Sequence, residues 1–352
     1  MATVTHRLRR IAVVNLVVGL AVFSQTGWTK DSKTALRVGH FPNLTHAQAV
    51  IGRANVWFQT RVSVPIEWQH FNAGPSAIEA LLAGALDMSY VGPSPAINVF
   101  VRSQGDAIRV VAGAASGGAL LVVHNGAGIE KPEDFRGKKV AAPELGNTQD
   151  VALRHWLKTY GLTPKAQGGD VDVLSIKNAD ILALFQRGSL DAAWVPEPWA
   201  TRLVLEGNGK IFLEETSLWP EGRFPTVILV ARTAFLKEHR DVVEEFVRAH
   251  VALTEWIQQH PADAAQAVNE GLAKWLGQPL SKPVLDQAFP RVAFVSDPAI
   301  NAMAISAQWA WELGYLPGAQ PPDLAGLFDL SLLTGAETPV KPRTMDRRPP
   351  VR

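Results

Sequence analysis

Small hydrogen-bonding residues recur at one kind of place in this chain. Asn43 and Thr45, Gly74 and Ser76, Gly92 and Ser94, and Asn147, Thr148 and Gln149 each follow a short run that reads as a β-strand and stand where a helix begins. A helix start leaves backbone N–H groups without intrahelical partners and carries the positive end of the helix dipole. Several starts turned toward one cleft would hold an anion without a cationic side chain, each contributing about 0.3–1 kcal/mol when exposed and up to ~2 when partly buried. Capping alone accounts for Ser, Thr or Asn before any single helix. The recurrence at successive strand ends is what points to a ligand, and between Asn147 and Thr148 the sequence expresses no preference.

Trp194 and Glu197 form a second candidate group. The apolar run Asp191 to Val195 delivers Trp194 beside Pro196-Glu197-Pro198, a turn that cannot continue a strand. An indole there would pack on an organic substituent and donate one hydrogen bond, or belong to the core. Glu197 facing the same cleft would favour a ligand with an amine or another donor; facing its own chain, it would favour the start of the next helix. Phe41 and Phe224 are candidates to cover the ligand.

Positioning these residues requires an α/β fold. Leu36–Phe41, Ile66–Phe71, Met88–Val91, Ile108–Ala114 and Ala119–His124 read as strands, with helices over Ala47–Gln59, Ser76–Gly84 and Pro95–Arg102. A second unit repeats the plan: strands Lys139–Ala142, Val171–Ser175 and Asp191–Val195, helices Thr148–Tyr160, Ala179–Gln186 and Trp199–Glu206. Pro225–Ala231 reads as a strand returning to the first unit, and Asp241–Gln259 opens a helical C-terminal part. Strands alternating with helices predict parallel pairing, and ligands of such sheets sit at the carboxyl ends of the strands.

The 352 residues are 47% hydrophobic and 19% charged with a net charge of +1, which gives no electrostatic case for a nucleic-acid or acidic-membrane partner. Basic His6-Arg7-Leu8-Arg9-Arg10 followed by the apolar stretch Ile11–Phe23 has the form of a secretory signal, with cleavage expected near Ser24. The chain has no cysteine, hence no disulfide and no thiol chemistry. Its histidines show no His-x-x-x-His spacing, so no metal or other cofactor is expected; His46 alone stands beside a helix start. No nucleophile elbow, Walker loop or Rossmann fingerprint is present.

The ordered set Leu36-Arg37-Val38-Gly39-His40-Phe41-Pro42-Asn43, Gly84-Ala85-Leu86-Asp87 leading to Tyr90-Val91-Gly92-Pro93, Lys131-Pro132-Glu133-Asp134-Phe135-Arg136-Gly137-Lys138-Lys139-Val140-Ala141, Leu145-Gly146-Asn147-Thr148-Gln149-Asp150 and Gly188-Ser189-Leu190-Asp191-Ala192-Ala193-Trp194-Val195-Pro196-Glu197-Pro198-Trp199 resembles the substrate-binding proteins of ABC importers in the nitrate, taurine and aliphatic-sulfonate group. The resemblance runs from about Leu36 to Pro317. It implies a type II periplasmic-binding-protein fold: a first lobe of residues 35–121 and 226–335, a second of residues 122–225, and crossings at Ala119–His124 and Pro225–Ala231. Residues 336–352, rich in Pro and Arg, are expected to be a disordered tail.

The resemblance further implies a non-enzymatic, monomeric periplasmic binder that closes over a small anionic ligand, a taurine or aliphatic sulfonate by preference, and delivers it to an inner-membrane ABC permease. A binder of a flat heterocycle such as a thiamine pyrimidine precursor is the alternative. A pyrimidine-synthase-like enzyme is disfavoured, because the cysteine-rich iron motif of those relatives has no counterpart in a chain without cysteine.

Overall fold

The computed structural model describes residues 35–334; the expected export signal and the expected tail lie outside them. In chain order the strands are β1 (Leu36–His40), β2 (Ile66–His70), β3 (Met88–Val91), β4 (Ile108–Gly117), β5 (Ala119–His124), β6 (Lys139–Ala142), β7 (Asp172–Ser175), β8 (Ala192–Pro196), β9 (Gly209–Glu214), β10 (Pro225–Arg232) and β11 (Val292–Phe294). They form two sheets, ordered β11-β4-β10-β3-β1-β2 and β7-β6-β8-β5-β9. In the first sheet β1 pairs in parallel with β2 and β3, and in the second β6 pairs in parallel with β7 and β8, as strand-helix-strand crossovers require. The returning strands β10 and β5 are inserted antiparallel beside β3 and β8 respectively, so the two sheets repeat one plan.

The helices are α1 (Ala47–Ala54), α2 (Gly74–Leu82), α3 (Pro93–Arg102), α4 (Thr148–Thr159), α5 (Asn178–Gln186), α6 (Trp199–Glu206), α7 (Thr233–Glu238), α8 (Arg240–Gln259), α9 (Pro261–Leu276), α10 (Lys282–Ala288), α11 (Ile300–Glu312) and α12 (Ser331–Thr334). They cover both faces of the first sheet. Leu36, Val38, Met88 and Tyr90 pack with apolar residues of α1, α8 and α9, while Val91, Ile228 and Val230 pack with those of α2, α3 and α11. Strands buried on both faces lose the alternating pattern, which is why these runs read as continuously apolar.

Three sequence readings need correction. Helix α1 stops at Ala54 instead of Gln59, because Val56 takes a left-handed conformation (φ 50°) and Phe58 turns into the core against Gly52. Strand β9 went unread. The strands expected to cross between units do not: β5 lies wholly in the second sheet and β10 wholly in the first. The chain passes between sheets at Gly117-Gly118, whose φ values of 74° and 67° only glycine adopts freely, and again along residues 215–224.

Side chains also tie the sheets' helices together. His155 of α4 stacks on Trp309 of α11 with ring centroids 4.3 Å apart, and Tyr315 donates a 2.7 Å hydrogen bond to Asp150 of α4. Trp199 of α6, attached to the second sheet, donates from its indole to Oδ1 of Asn43, which follows β1, at 2.9 Å. Beside it the Leu44 N–H donates to the Glu197 carbonyl.

Candidate functional site

All four strand-end turns meet at one cavity. Phe41, Asn43, Thr45 and His46 come from the turn after β1; Asn72, Ala73 and Gly74 from that after β2; Gly92 and Pro95 from that after β3; and Pro143, Asn147, Thr148 and Gln149 from that after β6. Asn178, Pro196, Thr226 and Val227 complete the wall. The helices α2, α3, α4 and α5 therefore begin at this space or beside it, as short parallel strands followed by tight turns dictate. The centre of a water molecule has about 30 Å³ in which to move there, more than the roughly 10–15 Å³ that one water needs.

The lining carries no Asp, Glu, Lys or Arg, so any field comes from helix starts and neutral donors. Helices α2 and α3 start without a side-chain cap, at Ala73 and Gly92, which leaves their first N–H groups to other acceptors. Helix α4 differs: Oδ1 of Asn147 accepts from the Asp150 N–H at 2.8 Å. That bond commits Oδ1 of Asn147 to its own helix, although both Asn147 and Thr148 line the cavity. Oγ1 of Thr148 is buried with no hydrogen-bond partner among the described residues, and Oδ1 of Asn178 is in the same condition. A buried hydroxyl or amide left unpaired costs roughly 1–3 kcal/mol, so native proteins keep few of them without a use.

Of the sequence candidates, Phe41, Asn43, Thr45, Gly74, Gly92, Asn147, Thr148 and Gln149 line this cavity, whereas Ser76, Ser94, Trp194, Glu197 and Phe224 do not. The Ser76 hydroxyl turns back to the Ala73 carbonyl at 3.0 Å, and Ser94 is buried inside the first turn of α3. Trp194 is fully buried among Leu121, Val140 and Trp156 in the core of the second unit, and its indole donates to Oε2 of Glu215 at 2.7 Å. Phe224 stacks on Trp219 in a separate apolar cluster. Glu197 serves its own helix, accepting from the Thr201 N–H and hydroxyl at 3.0 and 2.7 Å, with Arg291 at 3.5 Å. Burial raises the Glu197 carboxyl above its ordinary range.

Sequence reasoning missed Asn72, Asn178 and Pro143. Asn178 was within reach of it, because Val171–Ser175 followed by a polar turn and a helix start is the same signature once more. His46 was noticed for its position alone. Among the described residues no group of His, Asp or Glu side chains is arranged to hold a metal ion, and no helix is long and apolar enough to cross a membrane.

Residues 29–273 match the sequence profile of the NMT1-like family. The chain belongs to that family. Among its relatives is the taurine-binding periplasmic protein of Escherichia coli K12, 27% identical over 235 residues; the aligned stretch covers 66% of this chain and 66% of the relative, just under two thirds of its length. The alkanesulfonate-binding protein SsuA of Xanthomonas axonopodis pv. citri, solved with MOPS bound, superposes with a TM-score of 0.69 at 20% identity, covering 84% of this chain and 98% of that one. The periplasmic nitrate-binding protein NrtA of Synechocystis PCC 6803 gives 0.73 at 17% identity, covering 86% and 88%. This NMT1-like chain thus has the periplasmic-binding-protein fold, with two α/β lobes, one on each sheet.

Proposed function

We propose that this protein is the extracytoplasmic solute-binding component of an ABC importer and that it captures a small organic anion, an aliphatic sulfonate or taurine, in the cavity between its sheets. The observation that carries the reading is the convergence of four strand-end turns from both sheets on one space without charged side chains, where the Thr148 hydroxyl is buried and unpaired. A sulfonate offers three acceptor oxygens and one negative charge to a ring of N–H, amide and hydroxyl donors, and the fixed dipoles replace its hydration shell. The names of the taurine- and alkanesulfonate-binding relatives support this ligand class.

Turns from both sheets wall the cavity, so a ligand enters as the lobes part about the two passages at Gly117-Gly118 and residues 215–224. Closure, without chemistry, is then the functional event. The protein acts as an exported periplasmic monomer, with residues 1–24 as its signal, and the closed form is what a membrane permease recognises. The flat-heterocycle alternative is weakened by the withdrawal of Trp194 and Phe224 into the core, which leaves Phe41 and His46 as the aromatic rings at the cavity among the described residues.

A thermal-shift panel of taurine, ethanesulfonate, butanesulfonate, nitrate, bicarbonate and a thiamine pyrimidine tests the reading. A ligand specific for the folded form stabilises it by about 2.7 kcal/mol at a hundredfold excess over Kd. Stabilisation by the sulfonates supports the proposal, and a response confined to the pyrimidine or to nothing in the panel rejects it.

A further inference from the structure

His46 is the one titratable side chain at the cavity wall, and its two ring nitrogens are in different situations. It ends the short turn of 3-10 helix Leu44–His46 and immediately precedes α1. The ring is buried, packed against Phe41 at a centroid distance of 4.4 Å and edge-on to Tyr90 at 6.4 Å. The Phe41 backbone N–H donates to its Nδ1 at 3.3 Å. A nitrogen that accepts cannot carry the hydrogen, so a neutral ring held this way has its hydrogen on Nε2. Nε2 has no hydrogen-bond partner among the described residues.

We infer that His46 is a specificity-determining residue of the ligand site, a neutral imidazole locked in the Nε2–H tautomer by the Phe41 N–H, which donates to an acceptor-only oxygen of the ligand. This rests on the proposed function and deepens it. The chemical consequence is that the ring can meet an accepting oxygen of the ligand and not a hydroxyl hydrogen. Sulfonate and nitrate oxygens only accept at neutral pH, whereas a singly protonated phosphonate carries one P–OH. With Nδ1 occupied, the ring offers no acceptor to such a hydrogen. Burial also holds the imidazole well below its ordinary range, consistent with a neutral ring at neutral pH. The backbone of Phe41 thus fixes which ligand atom the side chain of His46 can meet, as the hydrogen bond at the other ring nitrogen does for metal-bound histidines.

The test uses the full mature chain with ethanesulfonate and methylphosphonate as probes. Long-range ¹H–¹⁵N spectra of histidine-labelled protein, with His46 assigned by the signals lost in His46→Gln, report the tautomer in the unsubstituted protein. The Nε2–H form is expected, with the Nε2 resonance moving when ethanesulfonate is added. His46→Gln, which keeps an N–H donor near the Nε2 position, should hold ethanesulfonate within about threefold of the parent. His46→Phe, which keeps the packing and removes the donor, should lose tenfold or more. An Nδ1–H tautomer, an imidazolium, or a Phe variant that folds and binds like the parent overturns the inference and leaves the functional reading standing. Ethanesulfonate that fails to bind the parent overturns both.

Discussion

A β-carbon placed on Gly92 would stand 2.3 Å from Oγ1 of Thr148. The two residues begin α3 and α4, helices attached to different sheets, and they touch because one of them has no side chain. Gly92 has φ −72° and ψ 157°, a conformation open to any residue, so replacing it tests space alone and not backbone strain. Gly92→Ala should hold the two helix starts apart and weaken ethanesulfonate binding at least tenfold, about 1.4 kcal/mol. Titration calorimetry reads the affinity, and a melting temperature close to the parent's would show that the fold is unharmed.

Thr148 should show opposite effects on stability and on binding. Its hydroxyl is buried and unpaired, so Thr148→Val removes a desolvated polar group and should leave the ligand-free protein as stable as the parent or more so. The same change should cost on the order of 1 kcal/mol of binding, because a ligand oxygen loses its donor. Thr148→Ser should restore most of the affinity. Melting curves with and without ethanesulfonate measure both halves, and a valine variant that binds as the parent does would remove Thr148 from the site.

Glu215 gives a pH signature. Burial pushes its carboxyl up to about 7 against the hydrogen bond from Trp194, which favours the ionised form. A carboxyl raised in the folded state binds its proton more tightly there than in the unfolded chain. Its stabilising contribution is complete below about pH 4.5 and is lost as pH rises toward 7. The buried imidazoles of His40 and His250, both lowered to about 4, act in the other direction, losing stability as pH falls from 6.5 toward 4. Glu215→Gln keeps an acceptor for the Trp194 indole without the titration, so its melting temperature relative to the parent's should rise from pH 5 to about pH 7 and level off above that. A flat difference across that range would refute the assignment.

Glu197 should matter for folding and not for choice of ligand. Removing its carboxylate in Glu197→Ala strands the Thr201 N–H and hydroxyl and leaves Arg291 without that partner, a loss of about 1–3 kcal/mol of stability. The ratio of affinities for taurine and ethanesulfonate should stay unchanged. An amine-selective loss would return Glu197 to the ligand site, against its placement here.

Much of this was legible from residue order. Strands β3, β5 and β6 and helix α6 have the boundaries the periodicity implied, and the turns that meet at the cavity are those whose composition suggested helix starts. The direction of Trp194 was not legible. Every residue of β8 is buried, so the two-residue alternation that tells one face of a strand from the other carries no information there. Phe224 and Glu197 failed for a related reason, since a residue next to a strand end lies near the cleft in sequence whichever way its side chain turns. Strand β9 escaped because its apolar run is only Ile211-Phe212-Leu213, set between Gly209-Lys210 and Glu214.

The bond from the Trp199 indole to Asn43 bears on how tightly this protein holds any ligand. The two residues are attached to different sheets and the bond involves no ligand atom, so it weights the closed arrangement for every ligand alike. Observed affinity scales with the fraction of molecules already in the competent form. Loosening the bond, as Trp199→Phe would, raises the dissociation constants of all ligands by lowering that fraction, and it also frees Oδ1 of Asn43 at the cavity wall. Evolution or design can therefore set the ligand concentration at which this protein fills from Trp199, a side chain outside the cavity lining whose bond ends on Asn43 within it.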